Sequence, residues 1–123
     1  MSKKILIADD LAEIRKLVRL TLQSDDFQVL EARNGAEAVA IARAMKPDLI
    51  IMDIIMPGEI DGFEATRILK EDPATKDCHI IMLTSKGEVA DREKGFDIGA
   101  IEYFAKPFSP LELIQKVEHF LGI

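Results

Sequence analysis

Leu49-Ile50-Ile51-Met52-Asp53-Ile54-Ile55-Met56-Pro57 is the stretch on which the fold turns. It is an apolar run rich in Ile, without Gly or Pro until Pro57, and it delivers one carboxylate, Asp53, to its end. An unbroken run of this kind reads as a strand buried on both faces, the signature of a parallel sheet. Ligands of open parallel sheets bind beyond the carboxyl ends of the strands, so an acid at that end is a candidate for chemistry. Its co-workers must come from other strand ends.

Upstream, Lys4-Ile5-Leu6-Ile7-Ala8 is a second buried run, and it stops at Asp9-Asp10. Leu11, Ile14, Val18 and Leu22 then recur at spacings of three and four, with Arg15, Lys16 and Arg19 between them, predicting an amphipathic helix that ends near Ser24-Asp25. Phe27 to Ala32 predicts a short strand with Glu31 near its end. Asn34-Gly35-Ala36-Glu37 is a helix start with a capping Asn, and Pro47 stops the Ala-rich helix expected over 35–45.

Downstream, Pro57-Gly58 marks a loop, and Asp61-Gly62-Phe63-Glu64 opens a helix with Ala65, Ile68 and Leu69 inward, ending before Asp72-Pro73. His79 to Leu83 is a fourth strand running into Thr84-Ser85. The helix expected over 87–97 has only a thin apolar face, Val89, Ala90 and Phe96, and so is weakly anchored. A fifth strand over 100–105 carries Tyr103 and Phe104 and leads into Lys106-Pro107. Ser109-Pro110-Leu111-Glu112 starts a last helix, with Leu113, Ile114, Val117, Phe120 and Leu121 inward, that closes at Gly122.

Strand and helix alternate five times, which predicts a single α/β domain over 1–123, a doubly wound parallel sheet with no output domain in this chain. With 123 residues, 48% hydrophobic, the chain suits one core. Lys plus Arg number 16 against 22 Asp plus Glu, and the net charge of −6 argues against a grip on phosphate backbones; no direct nucleic-acid partner is expected. The Ile5–Ala8 run is too short for a secretory signal and no run is long enough to span a membrane. Cys78, the single cysteine, cannot form an internal disulfide; it predicts a packed free thiol in a reducing compartment, the cytoplasm.

Right-handed crossovers place every strand's carboxyl end on one edge, which gathers Asp9, Asp10, Asp53, Thr84 and Lys106. Carboxylates about 4 Å apart repel by about 4 kcal/mol per pair at an effective dielectric near 20, so something positive must offset them. A hard divalent cation, most simply Mg²⁺, suits such oxygen donors, and Lys106 adds a second positive group. Metal, lysine, a hydroxyl and a nucleophilic carboxylate, Asp53, make up a phosphoryl-transfer site. Taken singly, Asp9-Asp10, Asp53 and Thr84-Ser85 could each be a helix cap, Lys106-Pro107 an exposed turn and Tyr103 a core aromatic.

The sequence resembles the response-regulator receiver domains of the CheY-like family. The resemblance is carried by Asp9-Asp10, Asp53 with Met56-Pro57 and Asp61-Gly62, Thr84-Ser85-Lys86-Gly87, and Tyr103-Phe104-Ala105-Lys106-Pro107-Phe108, in order along the full length. It implies the strand order 2-1-3-4-5. It further implies that Asp53 accepts a phosphoryl group from a phosphohistidine on a sensor histidine kinase or phosphotransfer protein. Mg²⁺ would be held by Asp10, Asp53 and the backbone carbonyl of Ile55, with Asp9 assisting through water. Thr84 and Lys106 would bind the phosphoryl oxygens, and Thr84 with Tyr103 would form a switch that reshapes the last helix–strand–helix surface for a downstream effector. Lys106-Pro107 is expected to be a cis peptide.

Two departures from the family pattern stand out. Gly58-Glu59-Ile60 is one residue longer than the commonest spacing, and Ile55 is apolar where many relatives carry a polar side chain. The chain is thus expected to act as a receiver that catalyses only its own phosphorylation and dephosphorylation, as a stand-alone regulator, a phosphorelay intermediate or part of a longer regulator. An aspartyl-nucleophile phosphatase is disfavoured because the first strand ends in adjacent acids and not Asp-x-Asp. Flavin binding is disfavoured because no Ser/Thr/Gly-rich loop follows Ala8. An unphosphorylated pseudo-receiver is disfavoured by the complete acidic set.

Overall fold

The computed structural model describes residues 2–84 and 89–123, the side chains of Thr84 and of residues 89–92 excepted. Five strands and five helices alternate: β1 (Lys3–Ala8), α1 (Ala12–Thr21), β2 (Phe27–Ala32), α2 (Gly35–Met45), β3 (Leu49–Asp53), α3 (Gly62–Glu71), β4 (His79–Thr84), α4 (Val89–Asp97), β5 (Glu102–Ala105) and α5 (Pro110–Leu121). The strands form one sheet in the order β2-β1-β3-β4-β5, every pair parallel, as the resemblance implied.

The alternation of side chains along each central strand divides the core in two. Leu6, Ile50, Ile80 and Met82 pack with Ala38, Ala42, Ala65 and Leu69 of α2 and α3. Ile5, Ile7, Ile51 and Ile81 pack on the other face with Val18 of α1, Leu22 just after it, and Leu113 and Val117 of α5. All five residues of β3 are buried, which is why its sequence is apolar without alternation.

Three helix starts follow their sequence signals. Asn34, Asp61 and Ser109 each accept a hydrogen bond from the backbone N–H three residues on, at Glu37, Glu64 and Glu112. Pro110 occupies the first turn of α5, and Gly122, at φ 72°, ends it.

Among the described side chains, two expected to face inward do not. Leu11 is 49% exposed: it is the residue before α1, off the stripe that Val18 and Leu22 continue into the core. Phe96 is 48% exposed, whereas its neighbour Gly95 is buried, its Cα close to Met82, and Ile98 packs against the core. Among the described side chains here, Gly95 of α4 and Ile98 just beyond its end meet the core, while the Phe96 ring is half exposed. The expected start of that helix at Gly87 lies outside the described residues.

The β3–α3 connection is fastened at both ends. Ile54 donates its N–H to the Leu83 carbonyl and accepts from the Gly62 N–H. A Cβ on Gly62 would overlap the Asp53 carbonyl, and one on Gly35 would overlap the Ile60 carbonyl, so both glycines mark backbone-to-backbone contacts. Between these fixed points the loop bulges at Gly58, φ 102°, where a Cβ would meet nothing.

Candidate functional site

The parallel register brings the ends of β1, β3 and β5 to one edge of the sheet, and there Asp9, Asp10, Asp53 and Lys106 converge. Each of the three acids offers an oxygen, and these oxygens lie within 4.8 Å of one another. Asp9 is fully buried and Asp53 is 5% exposed, while Asp10 faces solvent. Lys106 Nζ donates to Asp9 Oδ2 at 2.7 Å and stands 3.4 Å from Asp53 Oδ1. Asp9 Oδ1 also accepts the Leu11 N–H, so one acid both fastens the entry to α1 and anchors the lysine.

Electrostatics set the state of these groups. Burial, followed by the repulsion of Asp9, pushes the Asp53 carboxyl up from 3.8 to about 6, against the pull of Lys106. Burial alone lowers the Lys106 ammonium, but its hydrogen bond to Asp9 and the fields of both acids outweigh that and hold it above its ordinary value. At neutral pH the site is thus an ionised, poorly solvated carboxylate beside a fixed cation. The remaining donor set is anionic, all oxygen, and clustered within one coordination sphere. That chemistry fits a hard divalent cation such as Mg²⁺ and not a soft metal.

The other sequence-singled residues are placed as follows. Ile55 is 58% exposed in the loop directly after the site. Tyr103 on β5 is already buried, at 8% exposure. The Lys106-Pro107 peptide is cis. Thr84 ends β4 opposite Ala105, and its side chain lies outside the described residues. Cys78 is a buried free thiol pushed up to about 12 by burial, distant in sequence from every acid of the site.

One participant was not singled out by the sequence. Arg15 of α1 reaches the Asp9 carbonyl, with Nη1 donating at 2.8 Å, and its Nε donates to Glu31 Oε1 at 3.2 Å. In an amphipathic helix a charged residue between apolar positions reads as solvent-facing, yet the Arg15 side chain is only 13% exposed. The available signal was Glu31, which the parallel register places opposite Ile7, two residues before Asp9.

Comparison with known proteins bears on the whole chain. A family model described as response regulator receiver domain matches residues 5–118. The transcriptional regulatory protein ResD of Bacillus subtilis is 46% identical over 118 residues, covering 96% of this chain and 48% of that protein. The chain therefore spans about half the length of such relatives. Among solved structures, the chemotaxis protein CheY4 of Vibrio cholerae superposes with a TM-score of 0.90 at 32% identity, covering 98% of this chain and 99% of that one. The BeF3-activated DrrB receiver domain superposes with a TM-score of 0.89 at 29% identity, covering 100% of both chains. The name of ResD removes support from the expectation that nucleic acid is not a partner. The acidic balance describes these 123 residues alone. Among the described residues, no helix is long and apolar enough to cross a membrane.

Proposed function

This chain belongs to the response regulator receiver-domain family, and on that premise we propose that it is the phosphoacceptor of a two-component system and takes a phosphoryl group on Asp53. The observation that carries the reading is the placement of Asp53 at the carboxyl edge of the sheet, 5% exposed and 3.4 Å from Lys106 Nζ. With its carboxyl at about 6, Asp53 is ionised at neutral pH yet sparsely hydrated, a state suited to nucleophilic attack.

An Asp53 oxygen bonds to phosphorus while the phosphorus–nitrogen bond of the donor phosphohistidine breaks. The electron pair stays on the imidazole nitrogen, which takes up a proton. Lys106 pairs with the phosphoryl oxygens as they approach, and Thr84 donates a hydrogen bond to one of them. Asp10, Asp53 and the backbone carbonyl of Ile55 would hold Mg²⁺, with Asp9 assisting through water. When bound, that ion supplies neutralisation of the phosphoryl charge.

The consequence is a shift in population between two conformations, with Thr84 and Tyr103 as the switch and the α4–β5–α5 surface as its readout. The upstream partner is a sensor histidine kinase or phosphotransfer protein, and the downstream partner an effector. Residues 1–123 act as one receiver unit, working in the cytoplasm, that turns over no substrate besides its own phosphoryl group. The name of the DrrB structure, an activated receiver holding a beryllofluoride, supports this reading.

Incubation with Mg²⁺ and acetyl phosphate, followed by mass mapping of the adduct, tests it. Modification is expected at Asp53. No adduct there, under conditions that label another receiver, overturns the reading.

A further inference from the structure

We infer that Arg15 is a positioning residue for the acidic site, fixing the Asp9–Asp10 peptide so that Asp10 meets a cation together with Asp9 and Asp53. The inference rests on the reading of the three acids as a Mg²⁺ site. The Asp9 backbone is held on both sides. Its N–H donates to the Ala32 carbonyl at 3.1 Å, and its carbonyl accepts from Arg15 Nη1 at 2.8 Å.

Because a peptide unit is planar, fixing the Asp9 carbonyl fixes the plane from which the Asp10 Cα departs. The Asp9 side chain is already committed to the Leu11 N–H and to Lys106, so Asp9 cannot turn to accommodate a misplaced Asp10. Asp10 is the solvent-facing member of the trio and has the most freedom to lose.

The guanidinium itself is held by Glu31. Arg15 Nε donates to Glu31 Oε1, and the second oxygen, Oε2, accepts from Arg19 Nη1 at 2.8 Å. Only a planar fork can serve Asp9 and Glu31 at once, which a lysine ammonium cannot do with the same geometry. Glu31 also offsets a positive charge that would otherwise repel a cation nearby. The end of β2, the first turn of α1 and the acidic turn after β1 thus form one unit behind the site.

The sign of the effect separates positioning from charge. Removing a cation near a metal site strengthens metal binding by Coulomb attraction alone, whereas loosening a ligand weakens it. Arg15→Met, Arg19→Met and Arg15→Lys are compared with the parent by calorimetric Mg²⁺ titration. Far-UV circular dichroism and the metal-free denaturation midpoint report on folding. Arg15→Met is expected to weaken Mg²⁺ binding about tenfold, the scale found when a partner that orients a metal ligand is lost. Arg19→Met removes the same charge from the same helix while leaving the Arg15 bonds to Asp9 and Glu31 in place, and is expected to bind Mg²⁺ at parental affinity or slightly more tightly. Arg15→Lys, still able to donate to the Asp9 carbonyl, recovers part of the loss, which keeps the test decisive if Arg15→Met folds poorly.

Parental or tighter Mg²⁺ binding by Arg15→Met overturns the inference, as does equal weakening by Arg19→Met. A parent chain that binds no Mg²⁺ overturns the reading of the site itself, a separate outcome.

Discussion

Replacing Asp53 by Asn removes a carboxylate that the fold holds at a cost, and metal-free protein is expected to become more stable for it. Burial and Asp9 raise the Asp53 carboxyl from 3.8 to about 6, a shift that corresponds to about 3 kcal/mol between its protonation states. The native chain keeps this proton between about pH 4 and pH 6, where the unfolded chain has released it. The group's contribution to stability therefore falls as pH rises through that window, and is level above it. The asparagine has nothing to titrate. Part of the gain is offset because Lys106 loses one of its two acidic neighbours, so Asp53→Asn should exceed the parent by about 1 to 3 kcal/mol at pH 7.5 and by little near pH 4. Urea denaturation in chelator, followed by circular dichroism across that range, measures the gap. Asp72 and Glu64, whose carboxyls are held low, titrate alike in both proteins and cancel in the difference. Saturating Mg²⁺ should narrow or reverse the gap, since a ligand at about 100 times its Kd adds about 2.7 kcal/mol to the form that binds it. An Asp53→Asn variant less stable than the parent at pH 7.5, or a gap indifferent to pH, would refute this account of the site.

Three further expectations follow from the same geometry. Lys106→Met keeps the stem but leaves Asp9 buried without its cation, and should cost about 3 kcal/mol in chelator at neutral pH, together with most acetyl phosphate labelling of Asp53. Gly62→Ala drives a methyl into the Asp53 carbonyl; a loss of about 3 kcal/mol in denaturation is expected, and parental stability would show that the backbone yields easily there. Ile55→Asn puts a polar side chain able to orient water where an apolar one now stands, so the aspartyl phosphate lifetime should shorten several-fold in a decay assay. An unchanged or longer lifetime rules out that role for Ile55.

Sequence patterns carried the five strands, their convergence and three helix caps because each has a local cause: an unbroken apolar run, a crossover of fixed hand, or an Asn, Asp or Ser three residues before a Glu. They carried less where the cause is not local. Phe96 reads as an anchor in a window of charged residues, but the phase of α4 is set by how closely Gly95 approaches Met82. Arg15 reads as a surface charge, since its partners lie on the loop after β1 and near the end of β2. The direct bond between Lys106 and Asp9 spans 97 positions, and a list of strand-end residues gives their neighbourhood but not which of them pair.

The loop after β3 is held by Ile54 and Gly62 at the site and by Ile60 against Gly35, and it is open at Gly58 between them. Extra length in this loop can therefore be taken up as an outward bulge while the residues at its fixed ends stay in place. For protein engineering, that makes the Gly58–Glu59 segment a natural attachment point for a fluorophore or short tag. A reporter mounted there would sit on the open stretch of the loop, between the backbone contacts that hold its two ends.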